Sequence, residues 1–229
     1  INVDQSAYRA NHSTTTALHR VMEDWLEALN DNQFIGIVYL DTKKCFDSID
    51  HKILLHKLKR YGVVDIENKW FNSYLNNRSQ KVFINNDYSE PGALKSGVPQ
   101  GSILGPTLFL LYINDLSQHS FKACVNIYSD DVLIYYASND FEELRKILQT
   151  SIDSISQWYY GNRLLLSSDK CGAMVITNKS QTENLNLTIG GSDLTEVDNF
   201  KYLGVIIDNK LNFNLHVESK VSKVKSKLY

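Results

Sequence analysis

The first hundred residues alternate between helix-like and strand-like patterns of apolar positions. Apolar residues at 3.6-residue spacing predict a helix that Ser13 caps, and they are Ala17, Leu18, Val21, Met22, Trp25, Leu26 and Leu29. A nearly continuous apolar run with β-branched residues, Ile35–Leu40, predicts a buried strand that ends at Asp41. The other elements predicted here are two helices and a short strand, at Asp50–Tyr61, Asp65–Leu75 and Lys81–Ile84.

Two apolar strands joined by a short polar turn are predicted further along the chain. Lys122–Tyr128 and Val132–Tyr136 flank the dipeptide Asp130–Asp131, which is typical of a hairpin. Asn139 with Glu142 has the spacing of a capping box. It would begin a helix whose apolar positions are Leu144, Ile147, Leu148, Ile155 and Trp158.

The remaining patterns are a loop, a helix and several short strands. The Gly- and Pro-containing loop Gly97–Pro106 leads into an apolar helix from Thr107 to about Leu116. Strands are predicted at Ala173–Thr177, Leu185–Ile189, Leu194–Val197 and Phe200–Ile207. Gly190–Gly191 favours a hairpin turn. A last helix would carry Val217, Val221, Val224 and Leu228 on one face. Helices early and hairpins late predict an α+β fold with a mainly antiparallel sheet.

Composition narrows the class of protein. The 229 residues are 43% hydrophobic and 22% charged, which is ordinary for a globular chain and excludes a disordered tail or a disulfide scaffold. No apolar run approaches the roughly 18 residues that span a bilayer, so no membrane partner is expected. The cysteines Cys45, Cys124 and Cys171 are far apart, which favours a reducing compartment. A net charge of −2 excludes binding to nucleic acid through bulk positive charge, but not through a local basic groove or metal ions.

Three acidic residues at strand ends are candidates for chemistry. Asp41 follows a buried strand, and Asp130 and Asp131 lie between two apolar strands. Taken singly, each acid is more typical of a helix cap or a turn. Taken together, three hard oxygen ligands on stiff supports suit Mg²⁺ and a two-ion phosphoryl transfer.

The order of motifs resembles a reverse transcriptase, and more closely that of non-LTR (LINE-type, jockey-like) retrotransposons. The segments that carry the resemblance lie in the family's order along nearly the whole chain. They are Gln5–Arg9 with Ser13–Leu18, Leu40–Asp47, Gly97–Leu116, Tyr128–Asp131, Lys170 and Phe200–Val205. The resemblance implies a right-hand polymerase palm with an antiparallel sheet and partial fingers.

The resemblance implies a metal and catalytic set. Asp41 and Asp130 would ligate two Mg²⁺ ions, with Mn²⁺ as a substitute, and Asp131 would assist. The carbonyl of Thr42 would add a backbone oxygen, and Lys170 would give a proton or positive charge to the leaving pyrophosphate. Without the motifs, Lys170 would be interpreted as a solvated surface residue.

Nucleotide and primer contacts are implied in the same way. Phe46 would lie under the sugar and exclude a 2′-hydroxyl, Gln100 and Gly101 would meet the incoming nucleotide, and Arg9 would reach its triphosphate. Template or primer contacts would come from Tyr128, Phe200, Lys201, Tyr202, Leu203 and Gly204. Burial in the core is the competing interpretation for Phe46 and for the primer-contact residues.

Some positions depart from the family pattern. Cys45 and Ser129 stand where alanine is common, and both are small enough to keep the backbone geometry. Ala7 and Tyr8 replace a Gly-Phe pair, and Ser167 and Cys171 differ from the residues usual around the motif lysine. Because the three carboxylates, Gln100 and Lys170 match the family pattern, these changes bear on catalytic efficiency more than on the type of reaction.

The implied organisation divides one reverse transcriptase core, 1–229, into regions. Residues 1–34 and 62–95 would be partial fingers, residues 35–61 and 96–199 palm, and residues 200–229 the primer-grip region and the start of the thumb. The lysine-bearing last helix would touch phosphates there, or would simply have a solvated face. The remaining fingers, thumb and endonuclease segments of a longer polyprotein are expected outside these residues.

The implied activity is RNA-directed DNA polymerisation: transfer of dNMP to a primer 3′-hydroxyl, with an RNA template, a DNA primer and dNTP as partners. Two alternatives remain. One is a truncated, catalytically incompetent fragment that binds nucleic acid; the other is a two-metal nuclease, against which Phe46 and the Pro99-Gln100-Gly101 loop argue. An intracellular location, nuclear or cytoplasmic, is expected from the family's habits.

Overall fold

A single five-stranded sheet organises the chain. The computed structural model describes residues 1–118, 122–180 and 183–228. Its helices are α1 Thr14–Asn30, α2 His51–Arg60, α3 Asp65–Leu75, α4 Leu104–Ile113, α5 Phe141–Gly161 and α6 Asn214–Leu228. The longer strands are β1 Phe34–Leu40, β6 Cys124–Tyr128, β7 Asp131–Ser138, β8 Gly172–Ile176, β12 Asn199–Tyr202 and β13 Val205–Asp208. The two-residue strands are β2 Ser79–Gln80, β3 Phe83–Ile84, β4 Asp87–Tyr88, β5 Gly92–Ala93, β9 Thr188–Ile189, β10 Ser192–Asp193 and β11 Thr195–Glu196.

The main sheet has the order β11-β8-β1-β7-β6, so β1 lies at its centre. Strand β1 pairs antiparallel with both β7 and β8, and only β11 runs parallel to its neighbour. The predicted α+β class with a mainly antiparallel sheet is therefore confirmed.

Both faces of the sheet are covered, which explains the near-continuous apolar run in β1. Val38 and Leu40 belong to the core under α2, α4 and α5, while Ile35 and Ile37 pack with α1 and the β12–β13 hairpin. Side chains alternate between the two faces of a strand, so a strand covered on both faces needs apolar residues throughout. Gly36 allows the close approach of α5, because a Cβ at that position would lie 2.4 Å from Leu148 Cδ1.

Several predicted boundaries are wrong by a few residues. Helix α4 begins at Leu104 rather than Thr107, because Pro106 fits the first turn, where its missing N–H has no helical partner. Asp140, not Asn139, caps α5 by accepting hydrogen bonds from the backbone of Glu142 and Glu143.

The short strands also differ from the prediction. The strand predicted at 200–207 is a hairpin that turns at Leu203 and Gly204, both with positive φ. The Lys81–Ile84 and Leu185–Ile189 strands shrink to β3 and β9, and the Leu194–Val197 strand shrinks to β11.

Helix α6 confirms the predicted last helix, but its valines are not buried. Val217, Val221 and Val224 are exposed, and the side chain of Leu228 lies outside the described part. No helix among the described residues is long and apolar enough to cross a membrane.

Candidate active site

Strand register brings the three predicted carboxylates to one end of the sheet. Leu40 pairs with Val132 in the β1–β7 ladder, so Asp41 lies opposite Asp131, one position beyond the last pair. Asp130 is in the two-residue turn between β6 and β7, where Tyr128 pairs with Asp131. Two strands at the centre of the sheet therefore support the candidate site.

The segment after β1 is fixed by the segment that precedes β8. The Asp41 carbonyl accepts a hydrogen bond from the Ser167 amide (2.8 Å), and the Lys43 amide donates to the Leu165 carbonyl (2.8 Å). The Asp41 amide donates to Cys171 Sγ (3.4 Å). Three hydrogen bonds thus hold the position from which the Asp41 carboxylate extends.

Thr42 is buried between these contacts. Its hydroxyl lies 2.9 Å from the hydroxyl of Tyr159 in α5. Thr42 and Leu166 form an antiparallel bridge whose hydrogen bonds come from the residues on either side of them. The Thr42 carbonyl therefore takes no part in this bridge. The predicted role of that carbonyl as a metal ligand stays a prediction.

Two of the carboxylates have partners in this conformation. Asp41 Oδ2 lies 3.7 Å from Lys170 Nζ, and both side chains keep solvent contact. Asp130 Oδ2 accepts a hydrogen bond from Cys45 Sγ (3.2 Å). Burial, followed by the negative charge of Asp130, raises the pKa of Cys45 to about 12, so this thiol stays protonated and can donate.

Asp131 carries the electrostatic consequence of the cluster. Reduced solvation, followed by the negative charges of Asp130 and Asp41, raises the pKa of its carboxyl from 3.8 to about 6. Although Asp131 retains accessible surface, surrounding protein atoms reduce the solvation of its carboxylate. The pKa shift indicates that the charges of Asp41 and Asp130 disfavour ionisation of Asp131.

The chemistry of the three carboxylates is suited to a divalent cation. Carboxylate oxygens are the donors that Mg²⁺ prefers, and a cation would offset the mutual repulsion of three acids. Among the residues that the structure describes, no three His, Cys, Asp or Glu side chains already form a metal-binding cluster. In this conformation Asp41 contacts Lys170 and Asp130 contacts Cys45.

Three of the four predicted nucleotide-binding residues lie in or beside the Gly97–Pro106 loop, namely Phe46, Gln100 and Gly101. The Phe46 ring packs on Phe109 with ring centroids 4.6 Å apart, and the Phe46 carbonyl accepts from the Val98 amide (2.9 Å). Gln100 Nε2 donates to Asp47 Oδ1 (2.8 Å), and Gly101 has φ +79°. Phe46 is therefore half-buried against the core, with its ring orientation fixed.

Gly97 makes the close approach of this loop possible. Its φ is +85°, and a Cβ there would lie 2.8 Å from the Asp47 Cα and carbonyl oxygen. A side chain at this position would be strained by its φ and would also collide with backbone. The loop therefore reaches the Asp47 segment only with glycine at position 97.

A groove of about 770 Å³ runs along the same loop and carries local positive charge. Lys44, Arg78 and Lys95 line it together with Gln100, while Asp47 is its one acidic lining residue. The net charge of −2 did not exclude a local basic groove, and this groove lies beside the candidate site.

The predicted primer contacts separate into buried and accessible residues. Phe200 stacks on Tyr39 at 4.9 Å between ring centroids, and Tyr202 donates to the buried Asn126 (3.1 Å). Both Phe200 and Tyr202 are buried in the core, as the competing interpretation expected, and primer contact by these two residues stays a prediction. Lys201 and Gly204 are exposed, and Tyr128 and Leu203 are half-buried. Contact through these four residues stays a prediction.

The hydrogen bonds of the Arg9 guanidinium go to the N-terminal segment. Its guanidinium donates to the carbonyls of Asn2 (3.0 Å) and Gln5 (2.9 Å). Its predicted contact with a triphosphate is therefore untested.

Sequence reasoning missed two residues that support the site. Tyr159 holds Thr42, and Gln5 contacts the turn that carries Asp130. Gln5 lay within a recognised motif, but nothing in that motif indicated which residue 124 positions away it would meet.

Comparison with known proteins places these features in a family. The family described as reverse transcriptase (RNA-dependent DNA polymerase) matches residues 1–207. The chain belongs to the reverse transcriptase family. The resemblance expected from the motifs is thereby confirmed.

Similar curated reverse transcriptases come from insect mobile elements. The RNA-directed DNA polymerase from mobile element jockey of Drosophila funebris is 30% identical over 222 residues, covering 94% of this chain and 24% of that protein. The probable RNA-directed DNA polymerase from transposon BS of Drosophila melanogaster is 30% identical over 229 residues, with the same coverage of each. The chain thus spans about a quarter of the length of these relatives.

Solved structures support the fold. An apo telomerase of Candida tropicalis, truncated from its C-terminal domain, matches with a TM-score of 0.60 and 14% identity. The match covers 92% of this chain and 40% of that one. The predicted right-hand polymerase fold is confirmed, while the division into fingers, palm and thumb stays a prediction.

Proposed function

We propose that this reverse transcriptase chain is the core of an RNA-directed DNA polymerase that transfers dNMP from dNTP to a primer 3′-hydroxyl on an RNA template. The observation that carries the proposal is the register that sets Asp41 opposite Asp131, with Asp130 in the adjacent turn. Carboxylates on two central strands can be held rigidly enough to align two phosphoryl oxygens.

Asp41, Asp130 and Asp131 would hold two Mg²⁺ ions, with Mn²⁺ as a substitute and the Thr42 carbonyl as a further ligand. Such ions supply activation of a hydroxyl nucleophile and stabilisation of the leaving group. Lys170 would give positive charge to the departing pyrophosphate, and its Nζ, 3.7 Å from Asp41 Oδ2, supports this role.

Substrate binding would use the loop and the groove. Gln100 and Gly101 would meet the nucleotide, and the fixed ring of Phe46 would exclude a 2′-hydroxyl. The cations Lys44, Arg78 and Lys95 fit the phosphates of a polynucleotide. We propose the same region boundaries as the motifs predict, with residues 35–61 and 96–199 as palm.

The test is incorporation of labelled dTTP on an RNA template with a DNA primer and Mg²⁺. Asp130→Asn is the active-site variant, and Asp193→Asn, on the exposed strand β10, is the matched control. Incorporation by wild type and Asp193→Asn but not by Asp130→Asn supports the proposal. Equal incorporation by all three proteins contradicts it.

A second candidate function is nucleic-acid binding without turnover. It is favoured by the contacts of Asp41 with Lys170 and of Asp130 with Cys45, which engage both carboxylates in this conformation. Retained RNA binding, with wild-type incorporation no higher than that of Asp41→Asn, would support this candidate. Loss of labelled RNA without dNTP would instead indicate a two-metal nuclease.

A further inference from the structure

A buried glutamine contacts the turn that carries Asp130. Gln5 is 1% exposed. Its Oε1 accepts hydrogen bonds from the amides of Ala7 (2.8 Å) and Ser129 (3.1 Å), and its Nε2 donates to the Ser129 carbonyl (3.4 Å). One carboxamide therefore satisfies both backbone polar groups of Ser129.

Ser129 needs this support because of its backbone conformation. Its φ is +58°, in the left-handed region, which is unfavourable for a residue with a Cβ. The β6–β7 ladder ends at the pair Tyr128–Asp131, so the Ser129 peptide groups lie beyond the hydrogen bonds of that ladder. Gln5 replaces the missing ladder partner at this turn.

The glutamine is itself held in place. The Ser6 amide donates to the Ile127 carbonyl (2.9 Å), and the Ile127 amide donates to the Asp4 carbonyl (2.8 Å). These bonds attach residues 4–6 to the outer edge of β6, with a parallel bridge between Gln5 and Ile127. Arg9 adds a hydrogen bond to the Gln5 carbonyl (2.9 Å).

We propose that Gln5 is a positioning residue that fixes the Ser129 peptide and thereby the direction of the Asp130 carboxylate. The inference rests on the proposed polymerase function for its kinetic consequence. The hydrogen bonds of the Gln5 side chain go to Ala7 and Ser129, so its effect on Asp130 passes through the turn backbone. Displacing a metal-binding carboxylate by a fraction of an ångström is expected to lower the rate more than the affinity for nucleotide.

The chain offers a matched control at a distance from the site. Gln149 in α5 also holds one backbone residue at two points: its Nε2 donates to the Thr188 carbonyl (3.0 Å), and its Oε1 accepts from the Thr188 amide (2.9 Å). Gln5→Met and Gln149→Met therefore remove similar hydrogen bonds, but only the first removes them from the catalytic turn. Gln5→Glu is the conservative variant, which keeps the acceptor and loses the donor.

The experiment compares these variants in the same incorporation assay and in amide hydrogen exchange. For Gln5→Met we expect kcat to fall on the order of tenfold or more, with less than about a twofold change in KM for dTTP. More Mg²⁺ should be needed for half-maximal activity, and exchange at residues 128–131 should be faster. Gln149→Met should stay near wild type in kcat, in KM for dTTP, in its Mg²⁺ requirement and in exchange at residues 128–131. Gln5→Glu should give values between those of wild type and Gln5→Met.

Equal kcat and equal exchange at residues 128–131 for Gln5→Met and wild type would overturn the inference. An equal loss of activity in Gln5→Met and Gln149→Met would also overturn it, since general destabilisation would then explain the effect. An inactive wild type would count against the proposed function instead, and hydrogen exchange would still decide whether Gln5 holds the turn. If Gln5→Met does not fold, kcat and exchange at residues 128–131 are compared between Gln5→Glu and wild type instead, and equal values would overturn the inference.

Discussion

Replacing Asp131 with asparagine should stabilise the protein while removing a candidate metal ligand. The pKa of Asp131 is raised from 3.8 to about 6, first by reduced solvation and then by Asp130 and Asp41. The folded state thus binds this proton more tightly than the unfolded chain does. The resulting stability is fully present below about pH 4 and is lost as the pH rises through about 6.

The expected size follows from the shift. About two pKa units correspond to about 3 kcal/mol for a fully buried carboxyl. Because Asp131 keeps solvent contact, screening should reduce this to about 1 kcal/mol. For a chain of this length, that is a rise in Tm of roughly 2–4 °C.

The assay is thermal unfolding followed by circular dichroism, with EDTA present, at about pH 7.5 and about pH 4. Asp131→Asn should exceed wild type in Tm at the higher pH, and the difference should vanish at the lower pH. Asp193→Asn should show neither effect. In a separate series without EDTA, added Mg²⁺ should raise the Tm of wild type more than that of Asp131→Asn. A higher Tm for wild type at pH 7.5, or a difference that does not change with pH, would refute the reasoning.

Three further predictions concern the loop and the core. Phe46→Ala should lower the preference for dNTP over NTP by about tenfold or more, because the ring no longer meets a 2′-hydroxyl; an unchanged ratio in competitive incorporation would exclude that role. Gly97→Ala should lower the unfolding free energy by more than about 1 kcal/mol and raise KM for dNTP, because its Cβ would collide with Asp47. Urea unfolding and initial rates measure both effects, and wild-type values in both would contradict the clash. Gly36→Ala should cost about 1–3 kcal/mol in urea unfolding, because its Cβ would overlap Leu148, while a loss below about 0.5 kcal/mol would indicate that α5 moves freely.

Local patterns predicted the elements that depend on local physics. The α1 cap at Ser13 and the buried strand β1 follow from side-chain chemistry and periodicity within a few residues. The α5 cap was assigned one residue too early because Asn139 and Asp140 can both cap, and only the backbone conformation selects between them.

Long-range contacts were beyond the reach of such patterns. The positions of the candidate carboxylates came from motif order, but the partners of Asp41 and Asp130 depend on side-chain directions that no spacing encodes. The burial of Phe200 and Tyr202 likewise depends on which face of the β12–β13 hairpin meets the sheet.

The central position of β1 has a consequence for synthesis of the protein. Both strands that flank β1 come much later in the sequence: β7 begins 91 residues after β1 ends (residue 40 to residue 131), and β8 follows at residue 172. At about 5–20 residues per second, a ribosome leaves this apolar strand unpaired for roughly 5–20 s before its first neighbour is made. During that interval both edges of β1 lack a hydrogen-bonded neighbour, which makes the segment prone to aggregation. A chaperone that binds extended apolar segments would therefore find its target at Phe34–Leu40.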